Sequence, residues 1–141
     1  MVSQFSANLG LLALLAGLVA APLPLAAQPC TANCRSDQVQ FTPGDPLTVE
    51  VINRSTVAVN VEQVPLIGPQ NLRPGQSARL GFNWGTSPNV AIRFWNPDQE
   101  PLRAYLFRPA ERTLQIEIRD LPYQLGDRSI YIQNDGRVII Y

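Results

Sequence analysis

The sequence predicts an all-β protein, a single antiparallel β-sandwich of about seven to nine short strands behind a helical leader. Three observations lead there. Apolar residues, many of them β-branched, recur at every second position through residues 47–64, 76–82, 89–95, 113–119 and 129–141. A period of two marks a half-buried strand, because successive side chains point to opposite faces. Thirteen prolines and nine glycines punctuate the chain and set turns between these runs. No helical periodicity is evident beyond the leader, and no internal repeat.

Composition bounds the function. The chain has 141 residues, 45% hydrophobic and 16% charged, which fits one domain. Eleven acids balance eleven bases, and the isoelectric point is near 6.2. That balance argues against a nucleic-acid binder, which carries a basic excess or stripe. Every base is Arg; genomic codon bias is a simpler explanation than a demand for bidentate pairing. There is no His, and the initiator is the only Met. Histidine is the usual general base near neutral pH and the commonest metal ligand. Its absence excludes many hydrolytic triads and most zinc, copper and haem sites.

Residues 1–27 have the form of a secretory signal peptide. The uncharged apolar run 9–21 (LGLLALLAGLVAA) ends at Pro22 and Pro24. It falls short of the roughly 20 residues needed to span a bilayer. Leu25-Ala26-Ala27 offers small residues before Gln28, as a cleavage site requires. The region before the apolar run has no Lys or Arg, so an uncleaved membrane anchor is the alternative; membrane contact is expected only through that segment. A lipoprotein would place small residues directly before Cys30, where Gln28-Pro29 stand. The expected localisation is secreted or periplasmic. Residues 28–37 form a Cys-containing N-terminal segment and residues 38–141 the sandwich domain. Removal of the leader leaves 114 residues, enough for one sandwich core.

Cys30 and Cys34 frame Thr31-Ala32-Asn33. In an exported chain the simplest reading is a disulfide closing a tiny loop. The alternative is a thiol-disulfide or metal-handling protein using this pair. The spacing is not the two-residue gap of thioredoxin-like motifs, and the His of haem-attachment or copper-handling motifs is missing.

Residues 38–41 suit a first short strand, and Thr42-Pro43-Gly44-Asp45-Pro46 a turn. In residues 47–64 two valine-striped strands flank Asn53-Arg54-Ser55-Thr56. Direct pairing of Val51 with Val59 and Val49 with Val61 would put the four valines on one face, and a slip of one residue would lose that face. Asn53-Arg54-Ser55 also matches an N-glycosylation acceptor, a pattern common by chance. Residues 65–75 (PLIGPQNLRPG) read as a connection crossing between sheets. The strand at 76–82 places Ala78, Leu80 and Phe82 on one face. A loop at 83–88 leads to the strand 89–95, with Val90, Ile92 and Phe94 opposite Ala91, Arg93 and Trp95. The strand 101–107 is apolar on both faces, so it is expected to be central or to lie beside a partner surface, and Pro109 ends it. Residues 113–119 alternate most cleanly: Leu114, Ile116 and Ile118 in, Gln115, Glu117 and Arg119 out. After a loop at 121–128, residues 129–141 form a hairpin. Asn134-Asp135-Gly136 suits a three-residue loop with Gly in the left-handed region. That loop pairs Ile132 with Val138 and Ile130 with Ile140, and Tyr141 should be pinned in strand.

No catalytic constellation emerges, and no enzymatic activity or cofactor is expected. The serines at 36, 55, 77, 87 and 129 have no base in a recognisable motif. Glu50 and Glu62, expected on adjacent strands, fit a solvated polar face better than a glycosidase pair. A blue-copper site needs two His and a Cys, although GDPLTVEVIN resembles the strand before the first ligand of a cupredoxin. Trp84, Trp95, Tyr105, Phe107 and Tyr123, with Arg93 and Arg103 among them, are candidates for contact or for core. If the strands carrying Arg93–Trp95 and Arg103–Tyr105 lie side by side, those four residues make an Arg–aromatic surface able to stack on a sugar, peptide or aromatic group. The expected role is a non-catalytic exported structural or binding module of the periplasm or cell envelope. Its partner would be an envelope protein or glycan.

The stretches LTVEVINRS, VPLIGPQNLRPGQS, NVAIRFWNPDQEPLRAYLFRP, LQIEIR and GDRSIYIQNDGRV resemble a group of small exported proteins of photosynthetic bacteria. The resemblance covers most of residues 47–141 and implies export and a sandwich fold, without a catalytic motif or ligand. The LRPGQS turn is similar to turns of immunoglobulin-like domains, so the sandwich is expected to be immunoglobulin-like or transthyretin-like. The succession of an NRS turn, a strand, a Pro-Gly turn and a Trp-bearing strand is similar to the β-domain of the von Hippel–Lindau tumour suppressor, which implies sandwich topology alone.

Overall fold

The computed structural model describes residues 39–82 and 89–141. The leader, Cys30, Cys34 and Trp84 lie outside the described residues. What is described is all-β: nine strands in two sheets packed as a sandwich, with no helix among these residues. The strands are β1 (Leu47–Asn53), β2 (Val59–Val64), β3 (Ile67–Leu72), β4 (Ser77–Phe82), β5 (Val90–Trp95), β6 (Leu102–Ala110), β7 (Thr113–Asp120), β8 (Ser129–Ile132) and β9 (Val138–Ile140). Sheet I has the order β4-β1-β7-β6 and sheet II the order β3-β2-β5-β8-β9. All pairings are antiparallel except β1–β7, which is parallel. The two strands reach one sheet because the chain between them crosses through sheet II.

The alternation does what it implies. Val49 and Val51, Leu114, Ile116 and Ile118, Ile92 and Phe94, and Ile130 and Ile132 all point into one shared core. Val51 and Val59, however, do not pair. Val51 lies beside Ala78 and Ile116 in sheet I, and Val59 lies beside Leu72 in sheet II. The valines still share the interior, but across the gap between sheets. For the same reason Glu50 and Glu62 are not neighbours; they belong to different sheets and point away from the core.

The chain changes sheet at Asn53. Its buried side-chain amide donates to the carbonyls of Val57 (2.8 Å) and Leu72 (2.8 Å), and its Oδ1 accepts the Ser55 N–H (2.9 Å). The Ser55 hydroxyl sits 2.6 Å from the same oxygen. The Asn53 N–H donates to Gln76 and its carbonyl accepts from Gly75. A hairpin would have used these backbone groups in a β1–β2 ladder; here the Asn53 amide satisfies the turn. The acceptor motif Asn53-Arg54-Ser55 is therefore spent internally.

Residues 65–75 are more than a connection, since they contain β3, the edge of sheet II. Pro69 is compatible with an edge, where an N–H can be dispensed with. β6 is an edge strand rather than a central one, and it continues past Pro109 after a bulge. Its edge is covered. Asp127 donates its N–H to Leu102 O (2.8 Å) and accepts the Ala104 N–H through Oδ2 (2.9 Å). Further along, the Arg108 guanidinium lies over the Phe41 ring and donates to Gln40 O (3.0 Å). Such cover denies the edge to a second chain.

The hairpin register is as expected, with Ile130 opposite Ile140 and Ile132 opposite Val138. Gly136 has φ +85°, and a Cβ there would overlap the Phe41 carbonyl. Arg137 holds the neighbouring Asp135 carboxyl below the usual carboxylate range, first through its backbone N–H and then through its side chain. Instead of a full first strand, Gln40 makes a single bridge to Arg137, burying Val39 and Phe41 beside β9. Tyr141 exchanges both backbone hydrogen bonds with Ser129 (2.9 and 3.0 Å).

Asn53→Ala should cost about 3–4 kcal/mol, because it strands several buried polar groups at once, each worth roughly 1–3 kcal/mol. Urea unfolding of the variant against wild type measures this. A loss below 1 kcal/mol would mean the corner is held by packing alone.

Candidate functional site

Two connections cross between the sheets at the same end of the sandwich. One joins β5 to β6 through Asn96–Pro97–Asp98; the other joins β7 to β8 through residues 121–128. The first is fixed by Asn96, whose side chain donates to Ala58 O (2.9 Å) and accepts the Asp98 N–H (2.7 Å). The second is stapled at both ends: Leu121 N–H to Pro101 O (3.1 Å), and Arg128 O to the Phe94 N–H (3.1 Å). Between them opens a cleft of about 630 Å³. Its lining includes Arg93 and Trp95 of β5, Arg128 beside them, and Gln124 and Leu125 of the loop.

The rim is unusual. Tyr123 is 100% exposed and Leu125 94% exposed. Tyr123 also has φ +68°, a left-handed conformation that costs a residue with a Cβ about 1–2 kcal/mol. The staples at Leu121, Asp127 and Arg128 hold it there. Gly126 makes this hold fit, because a Cβ would come 2.5 Å from Leu102 O and 2.6 Å from Leu102 N.

The expected four-residue surface divides in two. Arg93 and Trp95 point outward from sheet II, with the guanidinium 5.9 Å from the indole centroid. Glu62, opposite on β2, holds Arg93 at 3.0 Å. Arg103 and Tyr105 point outward from sheet I, on the far side of the core, and their groups lie 6.0 Å apart. The two strands are not side by side; β5 and β6 lie in different sheets because the connection between them is a crossing. Each Arg–aromatic pair is real, and the joined surface does not form.

Sheet I supplies partners that strand-by-strand reading missed. Arg119 lies directly opposite Arg103, and its guanidinium covers the Tyr105 ring at 4.5 Å. The Glu117 carboxylate, buried on this outer face, takes Arg119 at 2.6 Å and Arg54 at 3.7 Å. The alternation put Glu117 and Arg119 outward, but only the β6–β7 register sets them beside Arg103 and Tyr105. Phe107, half-buried on the same strand face, faces Gln115. A second, shallower hollow on sheet II is lined by Ser129, Tyr131 and Tyr141, whose two rings meet edge to face at 5.3 Å.

Among the described residues no three of Cys, Asp and Glu converge where they could hold a metal ion. No protein-family model matches the chain, and no curated protein is significantly similar to it. The geometry itself therefore carries the functional argument. It offers stacking planes, guanidinium forks and a concave surface, which are means of contact.

Gly126→Ala should lift the 121–128 loop from the β6 edge and break both Asp127 bonds, at about 2 kcal/mol for two hydrogen bonds. Amide hydrogen exchange would show faster exchange at Ala104 and Asp127, with β1 and β7 protected as before. Unchanged protection at Ala104 would contradict the stapling.

Proposed function

We propose that this chain is a non-catalytic, exported binding module of the periplasm or cell envelope, and that the cleft between the β5–β6 and β7–β8 connections receives a polypeptide partner. Export is supported by the apolar run at 9–21 and the small residues before Gln28. The observation that carries the binding reading is the rim. Leu125 lines the cleft and Tyr123 lies two residues before it on the same loop; both large side chains stand solvated. They contribute no burial to the fold, and one of them sits in a strained backbone conformation. A stapled loop that holds such residues in water fits a surface that becomes buried only on association.

The β5 side of the cleft suits the same role. Trp95 is half-buried, which leaves one edge of the indole for contact, and its partner Arg93 is already neutralised by Glu62. A platform of this kind takes an apolar or aromatic anchor, the usual centre of a protein interface. Peptide recognition is favoured because the cleft combines polar groups, among them Arg93, Asn96, Gln99, Glu100 and Gln124, with the large exposed side chains of Tyr123 and Leu125 on its loop; a polypeptide offers backbone groups to the first and apolar anchors to the second.

The test compares wild type, Trp95→Ala and the double variant Tyr123→Gly/Leu125→Ser as baits in envelope extract, with quantitative mass spectrometry, alongside a glycan array. The expected result is a specific protein retained by wild type and depleted about tenfold by either variant, as loss of one interface anchor gives. The double variant should keep or raise its thermal midpoint, because both side chains are exposed and glycine relieves the left-handed backbone at Tyr123. Retention that is equal on all three baits, or binding confined to the glycan array, would overturn the reading.

A further inference from the structure

On the outer face of sheet I three arginines lie in one row across three adjacent strands: Arg54 at the end of β1, Arg119 on β7 and Arg103 on β6. Arg54 N–H donates to Ile118 O, so it stands next to Arg119, which is opposite Arg103. Like charges directly opposite on a sheet repel. One carboxylate, Glu117, serves both Arg54 and Arg119, and no ion pair reaches Arg103 among the described residues. Among the described residues Glu117 is the one carboxylate within ion-pair distance of any of the three guanidinium groups. Asp120 and Asp127 lie close by and keep their charge, accepting the Thr56 N–H (2.9 Å) and the Ala104 N–H (2.9 Å), but neither is ion-paired with an arginine of the row.

The rest of the chain does not supply the missing negative charge. Residues 1–38 hold a single acid, Asp37, close to Arg35, and residues 83–88 hold none. Arg93, Arg112 and Arg137 are each paired with a carboxylate, whereas Arg73, Arg79, Arg108 and Arg128, like Arg103, have no ion pair among the described residues; this face differs in gathering three guanidinium groups around one carboxylate. The unmatched row is a local property, since the whole chain is neutral.

We propose that this row is a docking site for a carboxylate-rich segment of a partner protein. Guanidinium forks match carboxylates bidentately, which makes such contacts strong and directional. Strands about 4.8 Å apart place Arg54 and Arg103 about 10 Å from each other, roughly three residues of extended chain. Arg119 is held by Glu117 and Tyr105 and acts as the fixed centre; Arg103 is the free fork at the edge strand. An anionic membrane is the weaker match, because lipid-binding patches gather about four to eight basic residues beside the bilayer. This face has three, and its aromatics Tyr105 and Phe107 are half-buried under the sheet's own side chains. The arginines of the row are not among the residues that line the cleft, and the site does not rest on the function proposed for it.

The test uses the described fold within the full chain, a fluorescently labelled decapeptide of alternating Glu and Ser, and phosphatidylglycerol vesicles. Anisotropy is read at low and at physiological salt. The expected result is peptide binding that weakens with salt and falls about tenfold in Arg103→Gln, the loss of one charge-assisted pair. Arg112→Gln removes the same charge at the other end of β7 and should change binding less than twofold. The thermal midpoint of Arg103→Gln should hold or rise, since repulsion from Arg119 is relieved. A midpoint several degrees lower would make Arg103 a structural residue and overturn the proposal. So would equal weakening by Arg112→Gln, absence of peptide binding, or binding to vesicles alone.

Discussion

The side-chain amide of Asn53 ties the two sheets together through polar atoms. It leaves β1 in sheet I and reaches the carbonyl of Leu72 at the end of β3 in sheet II. Its own backbone meets Gly75 and Gln76 just before β4. Two crossings between sheets, β1 to β2 and β3 to β4, are therefore fastened at one residue. A corner of this kind is costly by default, because the backbone leaves its ladder while still buried. Asparagine resolves it with a donor and an acceptor on a short stem, and Ser55 completes the set. Aspartate would lack the donors, glutamine would carry them too far out, and an apolar residue would leave the carbonyls unpaired.

That corner also marks the limit of what could be read from the residues alone. Period-two alternation says which side chains point inward; it is the same for strands that pair edge to edge and for strands that face each other across a core. Val51 and Val59 could satisfy either arrangement. The hairpin of β8 and β9 was legible to the residue, because a short turn with Gly136 fixes both partner and register locally. β3 was hidden since Gly68 and Pro69 erase the alternation, and only Leu72 is buried. β6, apolar on both faces, was read as central or as lying beside a partner surface. It is an edge strand whose Tyr105 ring is covered by the Arg119 guanidinium, a contact supplied by β7 and invisible from β6 alone.

The candidate residues divide along the same line. Arg93 with Trp95, and Arg103 with Tyr105, are each two apart on one strand, so their shared faces follow from the pleat. Whether the pairs meet depends on sheet membership, which depends on the crossings. The Arg119–Glu117–Arg54 constellation requires the β1–β7 and β6–β7 registers, and the former is parallel and long-range. The exposure of Tyr123 and Leu125 was the least legible feature. An aromatic and a leucine in a loop ordinarily tuck against the core. Here the loop is held off by backbone contacts at Gly126 and by the Asp127 carboxylate, which no pattern of hydrophobicity records.

Neither surface is needed to complete the fold. The inward positions of the central strands β1, β2, β5 and β7 are apolar and buried, apart from Asn53 and Gln63, and the β6 edge is closed by the loop and by Arg108. An arginine row that repels itself, and apolar residues held in water, are then tolerated against a core that does not depend on them. The two sheets pack about 10 Å apart, and sites separated by more than about 7–10 Å without shared partners act additively. The arginine row lies on the outer face of sheet I and the cleft at one end of the sandwich; they have no side chain in common, although Leu102 and Asp127 of the cleft adjoin Arg103 along the β6 edge. The two surfaces therefore answer to different chemistry, charge and salt for the row and shape and apolar area for the cleft, and couple only where the 121–128 loop is stapled to β6.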